Sequence, residues 1–162
     1  MNDVPIRAGG PDDIERCLRI WTTACAARDG RAFPGVADRA RPKFDERIVF
    51  LVAGDQERVD GFVLATRPGT GMVTDPVDAA VVGLLAVDPA SLGEGRGRAL
   101  LRAVTAELAG RGHEQAVLHA LVDNQAAITL YESEGWVPRG AAYEHSLLKR
   151  PTRTFARPLP LA

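Results

Sequence analysis

At 162 residues the chain is long enough to bury a core without disulfides or a structural metal, and its 46% hydrophobic and 25% charged residues exclude disordered and fibrous classes. A formal net charge of -1 gives no field to recruit nucleic acid or an anionic membrane surface. The start, MNDVPIRAGGPDD, has no basic or apolar leader pattern, and the longest apolar stretch, Ala79 to Val87, falls far short of the ~20 residues of a membrane span. The reading predicts a cytoplasmic protein, one domain over residues 1–162, with no nucleic-acid or membrane partner.

Val4 to Arg7 reads as a short strand. Gly9-Gly10-Pro11-Asp12-Asp13 then gives a turn, a Pro at the first helical position and acids in the first turn, so a helix runs on to about Ala27. Ile14, Cys17, Leu18, Trp21 and Cys25 share one stripe of that helix, which makes the two cysteines core residues. They match no CxxC or zinc spacing, and His113, His119 and His145 do not pair at ligand spacing, so no metal is expected. Arg28 to Arg47 mixes charges with Phe33, Pro34 and Pro42, which predicts a loop holding a short helix of unplaced boundaries.

Ile48 to Ala53 and Gly61 to Thr66 read as an antiparallel hairpin. A Gly, Pro and Asp-rich loop spans Pro68 to Asp78, and the unbroken apolar run Ala79 to Val87 predicts a strand buried on both faces at mid-sheet. Leu100, Leu101, Val104 and Leu108 mark an amphipathic helix from Gly97 to Ala109, stopped by Gly110. Ala116 to Val122 is the next strand, parallel to Ala79 to Val87 through a right-handed crossover. Asn124 to Glu134 is a second helix with Asn124 as N-cap and Gly135 ending it. Pro138, Pro151 and Pro158 punctuate a final hairpin and tail. The order defines a mixed α/β sheet.

The string DPASLGEGRGRALL places Gly93, Gly95 and Gly97 between a buried strand and a helix. Glycine costs about 1 kcal/mol in a helix relative to alanine, so the cluster answers a need for close backbone approach to a ligand. Free N–H groups at a helix N-terminus suit phosphate or pyrophosphate. A P-loop would need a lysine here. The dinucleotide fingerprint fails where Arg98 stands; a looser form with Ala99, and Asp123 as ribose acid, leaves an NADP-binding redox domain as an alternative, with the first strand arriving late, at Ala79.

With these features the chain resembles the GNAT superfamily of acyl-CoA-dependent N-acetyltransferases over most of its length. Leu92-Gly93-Glu94-Gly95-Arg96-Gly97 follows that family's turn except at Leu92, where Arg or Gln is usual, and Asn124, Ala127, Leu130, Tyr131 and Gly135 match its second signature in full. The resemblance implies a mostly antiparallel sheet with a central parallel strand pair and flanking helices. It implies acetyl-CoA as co-substrate, its pyrophosphate on the amides from Leu92 to Arg98 with charge from Arg98, and its pantetheine arm along Leu85, Ala86 and Val87. Asn124 and Tyr131 lie seven residues apart on nearly one helix face, about 10 Å along the axis.

The reaction so implied is direct attack of a small-molecule or peptide amine on the thioester, with Tyr131 as general acid to the leaving thiolate, and by analogy a homodimer. The implied base is missing: Ala79 to Val87 holds no carboxylate, while Asp75, Asp78, Asp88, Glu57 and Asp60 read as turn or solubility residues, and a water chain fits equally. A non-catalytic acyl-CoA-binding domain of the same fold is the alternative that this gap and Leu92 favour. Lys149, Arg150, Arg153 and Arg157 make the C-terminal part basic, a solvated face.

Overall fold

The computed structural model describes residues 4–160, so the part of the leader reading that rests on residues 1–3 lies outside it. Strands β1 (Ile6–Ala8), β2 (Arg47–Gly54), β3 (Val59–Thr66), β4 (Ala80–Val87), β5 (Gln115–Leu121), β6 (Val137–Glu144) and β7 (Pro151–Pro158) accompany helices α1 (Ile14–Asp29), α2 (Val36–Ala40), α3 (Arg96–Gly110) and α4 (Gln125–Ser133). The strands form one sheet in the order β1-β2-β3-β4-β5-β7-β6. Only β4 and β5 run parallel; every other pair is antiparallel. This is the mixed sheet with a central parallel pair that the sequence predicts.

Side-chain alternation divides the core between the two faces of the sheet. Val49, Ala53, Val63, Ala65, Ala80 and Val82 pack with Leu100, Leu101, Val104 and Leu108 of α3. Phe50, Val52, Phe62, Leu64 and Leu84 pack with Cys17, Leu18 and Ile20 of α1 on the other face. Phe44, on the 3-10 turn Arg41–Phe44 after α2, stacks with Phe62 at 6.1 Å and meets Phe50 edge-on at 5.3 Å. That contact anchors the 28–47 segment, whose short helix the sequence left unplaced.

Val82 and Leu84 lie on opposite faces although they are two residues apart. The cause is a bulge: Leu64 pairs with Leu84 and Ala65 with Val82, leaving Gly83 as an extra residue on β4. A bulge reverses the alternation and bends the strand. Beside it β4 and β5 pair at only two positions, Ala80 with Ala116 and Val81 with Val117. Beyond them the two strands part, while β5 stays paired to β7 along its whole length. The outcome is a wedge opening at the centre of the sheet.

One reading changes. Helix α3 contains Gly110 and closes two residues later, where Gly112 takes φ +89° and its N–H donates to the Ala109 carbonyl at 3.0 Å. Gly110 needs no left-handed conformation and simply continues the last turn. The final hairpin is present, β6 pairing antiparallel with β7, and β7 inserts between β5 and β6, which leaves β6, carrying Pro138, at the edge where a missing N–H is tolerated.

Candidate active site

The wedge opens into a cavity of about 1070 Å³. One end is walled by Leu85, Ala86 and Val87 of β4, Leu92, and Asn124 and Tyr131 of α4. The other is walled by Lys43, Thr66, Gly83, His119, Tyr143 and His145. The unpaired edges of β4 and β5 between them offer backbone N–H and C=O groups to a bound molecule.

The glycine turn stands at the first end. Gly93 and Gly95 have φ of +87° and +78°, and a Cβ on either would meet nothing within 4 Å. Glycine is therefore required for the backbone path rather than for space, and that path leads into the N-terminus of the 15-residue α3, where among the described residues no backbone carbonyl accepts from the amides of Gly93 to Arg98. Leu92 is exposed beside them, an apolar side chain where the family pattern is polar.

Of the other residues picked from the sequence, Glu94, Arg96 and Arg98 carry side chains that are already engaged. Arg96 reaches the Ser91 carbonyl at 3.2 Å, the buried Asp60 carboxylate at 3.4 Å, and Glu94. It braces the turn against β3. Arg98 donates to Glu134 at 2.7 Å and to Ser133 Oγ at 2.9 Å, so its guanidinium is directed to the C-terminal end of α4 instead of into the turn. Gly97 lies behind the turn, where a methyl in place of its hydrogen would stand at ordinary contact distance from Leu130 and Val87, 3.7 and 3.8 Å.

Asn124 caps α4, its Oδ1 accepting from the Ala127 N–H at 3.4 Å, and it lines the cavity as well. Tyr131 packs against Phe155 with ring centroids 6.2 Å apart. Burial pushes its phenol up to about 12, so it stays protonated throughout the physiological range. Cys25 lines the cavity and is likewise held as a thiol by burial. Cys17 is fully buried in the core, its thiol pushed up to about 12.

The second end holds residues that no motif marks. His119 projects from β5, where it stands between apolar residues on both sides, and its Nε2 lies 3.0 and 3.1 Å from the two oxygens of Asp75. Asp75, 44 residues away, is in turn held by the Met72 N–H at 2.7 Å. Its side chain is almost wholly buried. His145 accepts from the N–H groups of Leu147 and Leu148 at Nδ1, and burial together with surrounding cations lowers its pKa. The acids flanking β4 are spoken for: Asp88 caps the turn after β4 and pairs with Arg16, and Asp78 accepts from Gln115. Of the basic C-terminal residues, Arg150 alone lines the cavity. It bridges Asp29 of α1 and Asp123 after β5, at 2.6 and 2.9 Å.

Lys43 lies over the bulge with its Nζ 3.3 Å from the Gly83 carbonyl. Burial lowers its pKa, helped by nearby Arg39. Protonated Lys43 therefore opposes folding below that depressed value, and the penalty fades as pH rises toward the ordinary 10.5. Lys43→Met is expected to be more stable than the parent at pH 7 by urea unfolding, with the difference narrowing toward pH ~10.

Among the described residues no three His, Cys, Asp or Glu side chains are placed to hold a metal, and no helix is long and apolar enough to cross a membrane. A sheet with a single parallel pair is not the doubly wound sheet of a dinucleotide-binding domain, and Asp123 is occupied by Arg150.

The acetyltransferase (GNAT) family profile matches residues 15–136, and the chain belongs to that family. The mycothiol acetyltransferase of Mycobacteroides abscessus is 36% identical over 136 residues, which cover 78% of this chain and 43% of that protein. The mycothiol acetyltransferase of a Nocardioides species is 33% identical over 146 residues, 82% of this chain and 50% of that protein. The chain thus spans half or less of the length of these curated relatives. The ribosomal-protein-S18-alanine N-acetyltransferase from Escherichia coli superposes with a TM-score of 0.75 at 25% identity, covering 98% of this chain and 95% of that one. The paia N-acetyltransferase from Thermoplasma acidophilum, solved in complex with coenzyme A, has the same fold, with a TM-score of 0.72 at 13% identity over 97% and 99% of the two chains.

Proposed function

We propose that the chain is an N-acetyltransferase that moves an acetyl group from acetyl-CoA to an amine of a small molecule or peptide by direct attack. The observation that carries this reading is the wedge between β4 and β5, with amides that no backbone carbonyl engages at one end and a polar cavity at the other. Two substrates entering from opposite ends would meet at the unpaired strand edges.

The residues present fit acetyl-CoA. The turn from Leu92 to Arg98 would offer amides to its diphosphate, Leu85, Ala86 and Val87 a strand edge to its pantetheine arm, and Asn124 and Tyr131 a wall on the arm's far side, while Ala127 holds the Asn124 cap through its N–H and does not line the cavity. When bound, the co-substrate supplies the activated acyl carbon. Direct attack is favoured because Cys25, the thiol lining the cavity, is held protonated by burial. The names of the relatives agree with acetyl transfer, and because the chain covers half or less of the mycothiol enzymes, their acceptor is not carried over.

The test is thermal unfolding with acetyl-CoA, followed by thiol release with a panel of amines. Acetyl-CoA at about 100 times its Kd adds about 2.7 kcal/mol, a rise of about 5 to 10 °C for a domain of this size. In Gly95→Ala the left-handed backbone costs about 1 to 2 kcal/mol, which is expected to weaken acetyl-CoA binding about 10-fold. Binding without thiol release across the panel would leave a non-catalytic acyl-CoA-binding domain, and a shift with NADP alone would overturn the proposal.

A further inference from the structure

An alkyl amine is an ammonium at neutral pH and must lose a proton before it can attack, yet β4 carries no carboxylate. The opposite wall of the wedge carries an imidazole bound to a buried carboxylate. We infer that His119, held by Asp75, is the base that takes this proton, an inference that rests on the acetyl-transfer reading above.

The geometry fixes the roles. With Nε2 donating to Asp75, the lone pair of His119 is on Nδ1, and among the described residues no hydrogen bond engages that atom. Asp75 is a positioning residue: it sets the tautomer and stabilises the imidazolium that forms. The 67–79 loop is shaped around the pair, since a methyl on Gly71 would lie 2.3 Å from the Asp75 carboxylate and 3.4 Å from His119 Cε1. His119 lines the cavity together with Tyr131, which stands at the other end.

The protons balance. One passes from the acceptor ammonium to Nδ1 and on to solvent. The freed nitrogen pair forms the C–N bond as the C–S bond breaks, and the electron pair leaves on sulfur. The second N–H proton is lost to solvent as the amide forms, and Tyr131, having given its proton to sulfur, takes one back from solvent. The net reaction releases amide, thiol and one proton.

The groups facing His119 are Asp75 from the loop and Tyr143 from β6, 6.4 Å between ring centroids, with Lys43, Glu46 and His145 on the walls of the same cavity. His145 is the second imidazole of the cavity, so His145→Gln is the control. His119→Gln is expected to lower kcat/KM about 100-fold at pH 7 with an alkyl amine, and to regain it tenfold per pH unit as the pH approaches the amine's own pKa. Added imidazole should restore part of the rate, and Asp75→Asn should lose about 10-fold with the same pH signature. An aromatic amine, neutral at pH 7, should be nearly indifferent to both changes. The inference is overturned if His119→Gln keeps its rate at pH 7, loses it equally at every pH, or shares the signature with His145→Gln. Absence of thiol release in the unaltered protein would instead sink the acetyl-transfer reading.

Discussion

Tyr131→Phe is expected to lower kcat about 100-fold while leaving acetyl-CoA affinity within about twofold. The ring packs against Phe155 at 6.2 Å, and phenylalanine preserves that contact. Only the hydroxyl is lost. A phenol pushed up to about 12 looks poorly matched to a thiolate, whose ordinary pKa is about 8.5. The same burial would act on the leaving group, because a thiolate forming against the apolar walls of the cavity is destabilised as a phenolate is. Cys25, a thiol on the wall of that cavity, shows the direction, its pKa being raised first by burial.

In the proposed reaction the two shifts run in parallel, and Tyr131 would keep its proton until negative charge grows on sulfur and give it up only then. It follows that the phenol itself adds no alkaline limb to kcat below pH ~10. Single-turnover rates for the parent and Tyr131→Phe between pH 6 and 10 check both statements. A variant with full kcat removes Tyr131 from the chemistry, and one with weakened acetyl-CoA binding alone makes it a wall of the site.

The glycine-turn end of the cavity was legible because its signals are local. Three glycines between a strand and a helix, and an Asn and a Tyr two turns apart, are properties of contiguous segments, and the backbone conformations at Gly93 and Gly95 are what those segments require. The acceptor end was opaque for the opposite reason. His119 meets Asp75 across 44 residues, and Lys43 meets Gly83 across 40. Those meetings are set by the bulge on β4, the parting of β4 from β5 and the insertion of β7, none of which leaves a periodic trace. Arg98 illustrates the limit from the other side: the sequence offered its charge to the turn, but it stands in the first turn of α3 with its guanidinium drawn off by Glu134, a partner 36 residues on.

Asp29→Asn is expected to cost about 2 kcal/mol of stability at pH 7, lowering Tm by about 4 to 8 °C. Asp29 ends α1 with its side chain 1% exposed, bound by Arg28 at 2.8 Å and by Arg150 at 2.6 Å. The hydrogen bond from Arg28, and then that from Arg150, hold its carboxyl down at about 2 against an ordinary 3.8. A depressed carboxylate pKa contributes stability that is complete above the ordinary value and is lost as pH falls through the folded one. The stabilities of the parent and Asp29→Asn should therefore differ by a constant amount from pH 7 to about 5 and converge between about 4 and 2. Urea unfolding at stepped pH measures this directly. Because Arg150 also grips Asp123 at the start of the α4 turn, Asp29 ties α1, the β6–β7 connection and the β5–α4 connection together around the cavity mouth. Loosening that tie should raise KM for the amine more than it lowers kcat, since Tyr131, His119 and the glycine turn stand on other elements. A constant stability difference down to pH ~2 would show that the Asp29 charge contributes nothing, and that only its shape is used.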